Sequence, residues 1–286
     1  MTLLQIIVLA LIQGAAELLP VSSSAHVIVA EKLMGLDPTS PEMTLLLVML
    51  HTGTMAAVIL YFWSSWKENY FAARPAFWNF AQRVAFATFL TGAIGLTLKF
   101  LIEKFALKGG PHAEIELIFG NLALIGIALG TVGLLIIYAG VRTERSHRPS
   151  RSGLQGSSWI GIVQGLCLPF RGFSRSGATI STGLLLGISK ERAEEFSFAL
   201  AVVLTPPVIV REVLRLLKAQ ASLLPPGASV FSLFVPSLLG MGLSCLAGLL
   251  ALRWLSLWLE QGRWQLFGIY CLLASAAVLT LYKLGY

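Results

Sequence analysis

Six apolar runs of about twenty residues, at roughly 44–62, 83–102, 118–139, 194–214, 230–252 and 264–283, put a water-soluble fold out of reach for this chain. Each is long enough to cross the hydrocarbon of a bilayer as a helix. Charged residues make up only 12 % of the 286 residues, against about 25 % in a soluble domain. A surface built from so few charges cannot face water, so lipid solvates much of it. The net charge of +7 does not point to nucleic acid, because the basic residues sit in short loops between apolar runs, as membrane topology requires. Trp63, Trp66, Trp254, Trp258 and Trp264 fall at run ends, where amphipathic rings prefer the interface. Gly126 and Gly130 form a small-residue pair for close helix approach. Cys167, Cys245 and Cys271 lie in apolar stretches without CxxC spacing and read as small buried hydrophobes. The N-terminal stretch has no basic flank and is interrupted by Gln13 and Glu17, so it reads as part of the fold and not as a signal peptide.

Two further apolar stretches, at about 1–35 and 157–188, are broken. Glu17, Pro20, Ser22, Ser23, Ser24 and His26 interrupt the first; Pro169, Arg171, Gly172, Ser174, Arg175, Ser176 and Thr179 interrupt the second. Neither half of either stretch spans a bilayer of about 30 Å. Irregular backbone at membrane depth survives only where protein or a wet cavity satisfies it. Each stretch is therefore expected to be a re-entrant helix–loop–helix. The expected fold is an all-α polytopic membrane protein with about six transmembrane helices plus two re-entrant pairs.

The two halves resemble each other. IQG at 12–14 recurs as VQG at 163–165, Ser22 and Ser24 match Ser174 and Ser176, and residues 34–50 parallel 186–202. Each half then carries three spans, and an odd number inverts the second copy. This predicts a single membrane domain over 1–286, built from inverted repeats 1–140 and 150–286, with a site near the midplane where the breaks meet. Assigning loops 63–82, 140–157, 188–193 and 253–263 to the inside collects, with the boundary residue Arg83, eleven Lys and Arg against eight outside. That places both termini on the outer face, with Arg211, Arg215 and Lys218 counting against it.

Arg175 in an apolar segment must find a partner or water. Gly172, Ser174, Ser176, Gly177 and Thr179 surround it, and the residues that follow can begin a helix. Free N–H groups, hydroxyls and a guanidinium in one turn make an anion cradle suited to phosphate. The structural alternative is an ion pair between Arg175 and Glu17. In the first break, Gln13 and Glu17 share a helix face at i and i+4. Glu17 can act as a base or hold a divalent cation that bridges to phosphate. Ser22, Ser23 and Ser24 are candidate nucleophiles and His26 a proton carrier; capping is the alternative for the serines. His51 reads as a packed or supporting residue. Ser189 with Glu191 and Arg192 reads as a helix N-cap and first turn. Glu194 reads as interfacial, and Glu195 as a residue within reach of the site. His112 and His147 carry no signal.

At these residues the chain resembles the bacterial undecaprenyl-diphosphate phosphatase family, the bacitracin-resistance type. That family carries (E/Q)xxxE running into PVSSxxH, here QGAAELLPVSSSAH at 13–26, and PGxSRSxxT, here RGFSRSGAT at 171–179. The likeness continues through GISKERAEEFSFALAV at 187–202 and covers nearly the whole chain. It implies an enzyme of the bacterial inner membrane, open to the periplasmic side. Such an enzyme hydrolyses undecaprenyl diphosphate to undecaprenyl phosphate and phosphate, recycling the carrier for peptidoglycan synthesis, and confers bacitracin resistance. It also implies a divalent cation, Mg²⁺ or Ca²⁺, a polyprenyl diphosphate substrate and membrane lipids as partners, and is compatible with a homodimer. Carried over by position, Glu17 is the base or metal-associated carboxylate, Ser23 the nucleophile or a phosphate contact, and His26 an acid/base or phosphate contact. Arg175 stabilises the transferring phosphoryl group. Gln13, Ser22, Ser24, Arg171, Gly172, Ser174, Ser176 and Thr179 contact substrate. Two residues depart from the pattern. Gln13 stands where many relatives have glutamate, and Arg171 where the second motif begins with proline, so Arg171 adds a cation for the distal phosphate, snorkels, or pairs with Glu17. A rival reading from a different class is a polyprenyl-phosphate flippase using the same anion site, since inverted repeats with broken helices are also a transporter signature.

Overall fold

A computed structural model describes residues 1–37, 41–106, 119–144, 153–223 and 230–285. His112 and His147, and the loop arginines Arg145, Arg148 and Arg151, lie outside the described residues. Within them the chain is helical throughout, without strands: α1 (Leu3–Leu18), α2 (Ser23–Leu33), α3 (Pro41–Trp66), α4 (Arg74–Leu101), α5 (Leu122–Glu144), α6 (Leu154–Cys167), α7 (Arg175–Leu185), α8 (Lys190–Leu223), α9 (Val230–Glu260) and α10 (Trp264–Lys283).

Among the described residues, five helical stretches are long and apolar enough to cross a membrane: Met43–Phe71, Arg74–Phe105, Leu122–Thr143, Val235–Glu260 and Trp264–Lys283. They correspond to five of the six expected spans. Their outward faces present large apolar side chains such as Leu60, Phe89, Leu134, Leu250 and Leu273. On a soluble protein such a surface would aggregate; in lipid it costs nothing. The remaining expected span, 194–214, is helical as part of α8 but is not among the five. Its first turns carry Glu191, Arg192, Glu194 and Glu195, and Pro206 and Pro207 lie inside it. Phe196, Phe198, Ala199, Leu200 and Ala201 are buried in protein. That stretch of α8 is packed in protein, while further along the helix Val203, Val210, Val213 and Leu214 are exposed.

The broken stretches are helix–loop–helix pairs, as their length requires. α1 has 16 residues and α6 has 14, or about 24 and 21 Å at 1.5 Å per residue, short of a span. α2 and α7 have 11 residues each. Thr2 starts α1 with a capping box: its hydroxyl accepts from Gln5 N at 3.3 Å, and its N–H donates to Gln5 Oε1 at 2.8 Å.

The first helix of each pair packs on a long one from the opposite half of the chain, α1 on α9 and α6 on α4. The glycine of the recurring QG pair makes both contacts. A Cβ on Gly14 would lie 2.6 Å from Ser244 O of α9, and one on Gly165 2.9 Å from Thr91 O of α4. Gly126 and Gly130 likewise seat α5 on α10, where Ser275 Oγ donates to Gly126 O at 2.6 Å. The three cysteines are free, with Cys167 and Cys271 buried. Trp63 and Trp254 are exposed at helix ends as expected. Trp66 and Trp264 are buried instead. Trp66 stacks on Phe62, and Trp264 Nε1 donates to Ser181 Oγ at 3.0 Å. Position at a run end does not say which way a ring points.

Candidate active site

The two breaks meet. α1 ends at Leu18, and the chain turns through Pro20 into Ser22, the one non-glycine among the described residues with positive φ (68°). That costly backbone sits directly before Ser23, the first residue of α2. On the other side Gly172 has φ +94°, and a Cβ there would lie 2.4 Å from Ile125 O of α5. Only glycine fits. Its N–H donates to Ser24 Oγ at 3.3 Å, tying one break to the other. Ser174 caps α7, its hydroxyl accepting from Gly177 N at 3.2 Å. This fixes Arg175 at the helix start.

Glu17 is the hub. Its Oε1 accepts from Arg175 Nη2 at 3.1 Å. Its Oε2 accepts from Ser23 Oγ at 2.5 Å and from Gln13 Nε2 at 3.2 Å. His51 Nε2 stands 4.0 Å from the same oxygen, its ring set by Nδ1–H donation to Leu47 O at 2.8 Å. α1, α2, α3 and α7 therefore each send a side chain to one carboxylate. The ion pair between Arg175 and Glu17 is present, but it uses only one face of the guanidinium. Nη1 of Arg175 is buried and has no hydrogen-bond partner among the described residues.

The other sequence-derived residues divide into two groups. Ser22 and Ser24 hydroxyls pair at 3.2 Å beside Ser23. Ser174, Ser176 and Thr179 are buried and spend their hydroxyls on the protein: Ser174 and Ser176 approach at 3.4 Å, and Ser176 Oγ donates to Leu19 O at 3.3 Å. Thr179 Oγ1 donates to Arg175 O at 2.8 Å and meets Ser197 Oγ at 2.6 Å. These hydroxyls brace the turn around Arg175. Arg171 does not reach Glu17; its guanidinium lies 4.6 Å over the Phe119 ring. His26 bonds to the Ser22 carbonyl (Nδ1, 2.8 Å) and to Tyr270 OH (Nε2, 2.7 Å).

Glu195 does not join the site, contrary to the expectation from sequence. It accepts from Ser65, from Tyr70 OH at 2.8 Å and from Arg192 Nη1 at 3.2 Å, in a separate polar cluster where α8 begins. The pairing follows from position: at the start of α8 its nearest donors are Arg192, one turn earlier, and the end of α3. Glu194, expected at the interface, is buried and accepts from Ser256 Oγ at 2.7 Å. Ser189 caps α8 as expected, accepting from Arg192 N at 3.4 Å. Sequence reasoning undervalued His51 and missed Ser197 and Tyr270. A histidine, serine or tyrosine inside a uniform apolar span has no local signal to separate it from packing.

Among the described residues no group of three or more His, Cys, Asp or Glu could cage a metal ion. A hard cation does not need such a cage: magnesium commonly binds through one carboxylate, waters and substrate phosphate oxygens. The Glu17 carboxylate and the side-chain carbonyl of Gln13 beside it fit that mode.

Short helices meeting inside a shell of apolar ones, with a carboxylate, a serine hydroxyl and a half-paired guanidinium at their junction, define an all-α polytopic membrane protein with a polar site enclosed among its helices. Residues 6–277 match the bacitracin resistance protein BacA family, and the chain belongs to it. It is 59 % identical over 282 residues to undecaprenyl-diphosphatase 2 of Acinetobacter baylyi, covering 98 % of each chain. It is 32 % identical over 289 residues to undecaprenyl-diphosphatase 2 of Burkholderia orbicola, covering 96 % of this chain and 95 % of that one. It is 28 % identical over 279 residues to the undecaprenyl-diphosphatase of Rhodopirellula baltica, covering 98 % of each.

Proposed function

We propose that this chain is a membrane phosphatase that hydrolyses undecaprenyl diphosphate to undecaprenyl phosphate and phosphate, returning the lipid carrier to peptidoglycan synthesis and so conferring bacitracin resistance. The observation that carries the reading is the Arg175 guanidinium. One terminal nitrogen is held by Glu17, and the other terminal nitrogen is buried without a partner among the described residues. A buried charged donor left unpaired is costly, and a phosphate oxygen is the partner its geometry suits.

In this reading Ser23 is the nucleophile and Glu17 its base. The hydroxyl already donates to Glu17 Oε2 at 2.5 Å. As the Ser23 Oγ–phosphorus bond forms at the terminal phosphorus, the proton passes to Glu17. The bond from that phosphorus to the bridging oxygen breaks, and undecaprenyl phosphate leaves with the bond's electron pair. Water then cleaves the phosphoserine, releasing phosphate and restoring the hydroxyl. Arg175 neutralises charge on the equatorial oxygens. His51 and Gln13 hold the carboxylate in place. Glu17 and Gln13 would hold a divalent cation, magnesium or calcium, which would supply further neutralisation of phosphate charge.

We further read the halves 1–140 and 150–286 as inverted copies, supported by the exchanged packing of α1 on α9 and α6 on α4. The loop charges support an inner-membrane orientation with the site open to the periplasmic side.

The test is phosphate release from undecaprenyl diphosphate by purified protein in detergent, with and without chelator, for the native chain and Arg175→Ala. Release by the native chain and a loss of at least about a hundredfold in the variant are expected. Equal release from both would refute the site, and no release from either would favour a carrier that moves lipid phosphate without cleaving it.

A further inference from the structure

An apolar cavity of about 460 Å³ lies between α1, α2, α5 and α10. Its walls include Ile12, Val29, Leu33, Leu129 and Leu281, and its polar members are His26 and Tyr270. The two rings stack, with centroids 5.7 Å apart and planes at 12°. The bonds of His26 define its tautomer. Nδ1 faces the Ser22 carbonyl at 2.8 Å and so must carry hydrogen. In the neutral ring Nε2 is then a bare lone pair, and the hydroxyl of Tyr270, 2.7 Å away, donates to it. The only ring atom of His26 free to address a ligand is thus capped by a residue on α10, 244 positions away in sequence.

The cavity adjoins the phosphate site. His26 is one helical turn beyond Ser22 and Ser23, and Ile12 directly precedes Gln13. A polyprenyl diphosphate with its phosphates at Arg175 has its first isoprene units to place, and this is an apolar space at the right end of α2. Those units would press against the Tyr270 ring.

We propose that Tyr270 is a specificity-determining residue: its phenol caps Nε2 of His26 until the first isoprene units of the lipid fill the cavity that both residues line. A soluble diphosphate, having no tail, leaves the cap in place and meets an unavailable His26. The lipid displaces the phenol and frees the Nε2 lone pair, which then accepts from a protonated oxygen of the phosphate end. The inference rests on the proposed phosphatase reading, together with the phosphate contact that the family resemblance implies for His26.

The experiment compares turnover of farnesyl diphosphate with that of inorganic pyrophosphate in the native protein, Tyr270→Phe, His26→Ala and the double variant. Phenylalanine keeps the ring and the cavity wall and removes only the hydroxyl. Tyr270→Phe is expected to lower the farnesyl-to-pyrophosphate ratio roughly tenfold, as expected for the release of one hydrogen bond. In the His26→Ala background the same change should leave the ratio where it is. In ¹⁵N spectra of histidine-labelled native protein, the Nε2 signal of His26 should shift on adding farnesyl methylenediphosphonate, whose P–C–P bridge cannot be hydrolysed, but not on adding methylenediphosphonate itself. An unchanged ratio in Tyr270→Phe, with His26→Ala impaired, would overturn the role of Tyr270 alone. Full activity of His26→Ala on both substrates would remove His26 from the phosphatase reading and Tyr270 with it.

Discussion

Glu17 receives more polar contacts than any other side chain in the site, and each contact limits what it can do. Three donors, from Gln13, Ser23 and Arg175, converge on its two oxygens. Gln13 fills its place well because an amide donates to the carboxylate where a second carboxylate would repel it. The Ser23 hydroxyl has one acceptor to lose its proton to, which makes its role testable. Rapid acid quench of the native protein with ³²P-labelled substrate should trap a phosphoserine at position 23, and Ser23→Ala should lose at least about a hundredfold in turnover. A fully active Ser23→Ala would transfer the attack to water. Glu17, Ser23 and Arg175 were legible in the sequence because charge inside an apolar run has few explanations. Tyr270 was not, because its importance is set by a partner on a distant helix. Of the three roles open to Arg171, pairing with Glu17 is the one the structure excludes, since Arg175 takes that place and the Arg171 guanidinium lies over the Phe119 ring.

Among the helices, the re-entrant pairs owe their shape to a few backbone positions. Gly172 is the most demanding, combining φ +94° with a virtual Cβ 2.4 Å from the Ile125 carbonyl. Gly172→Ala should therefore lower stability by about 2 kcal/mol or more, read as a drop in the detergent unfolding midpoint. It should also reduce turnover, because the Gly172 N–H to Ser24 link would shift with it. A variant with native midpoint and native turnover would refute this account of the turn. The pairs themselves could be foreseen from length, since 16 and 14 residues cannot span. The character of α8 could not: a window average does not say whether an apolar stretch faces lipid or other helices. The burial of Phe196 to Ala201 and the exposure of Val210 and Leu214 show that α8 does both.

For the whole molecule, the five lipid-crossing stretches were readable from hydropathy, while the meeting of the two breaks needed the repeat. Orientation rests on loop charge, and it predicts a labelling pattern. In intact spheroplasts a membrane-impermeant maleimide should modify Lys283→Cys and spare Arg263→Cys until the membrane is opened; the reverse pattern would invert the molecule. Cys167 and Cys271 are buried, so their background should be low. The cavity beside His26 carries a further consequence. Its walls are the flanks of bilayer-embedded helices, so substrate arrives by diffusion within the lipid sheet. The concentration that governs turnover is then mole fraction in the membrane or micelle. Adding inert detergent at fixed bulk substrate should slow the enzyme, although nothing in the aqueous phase has been diluted.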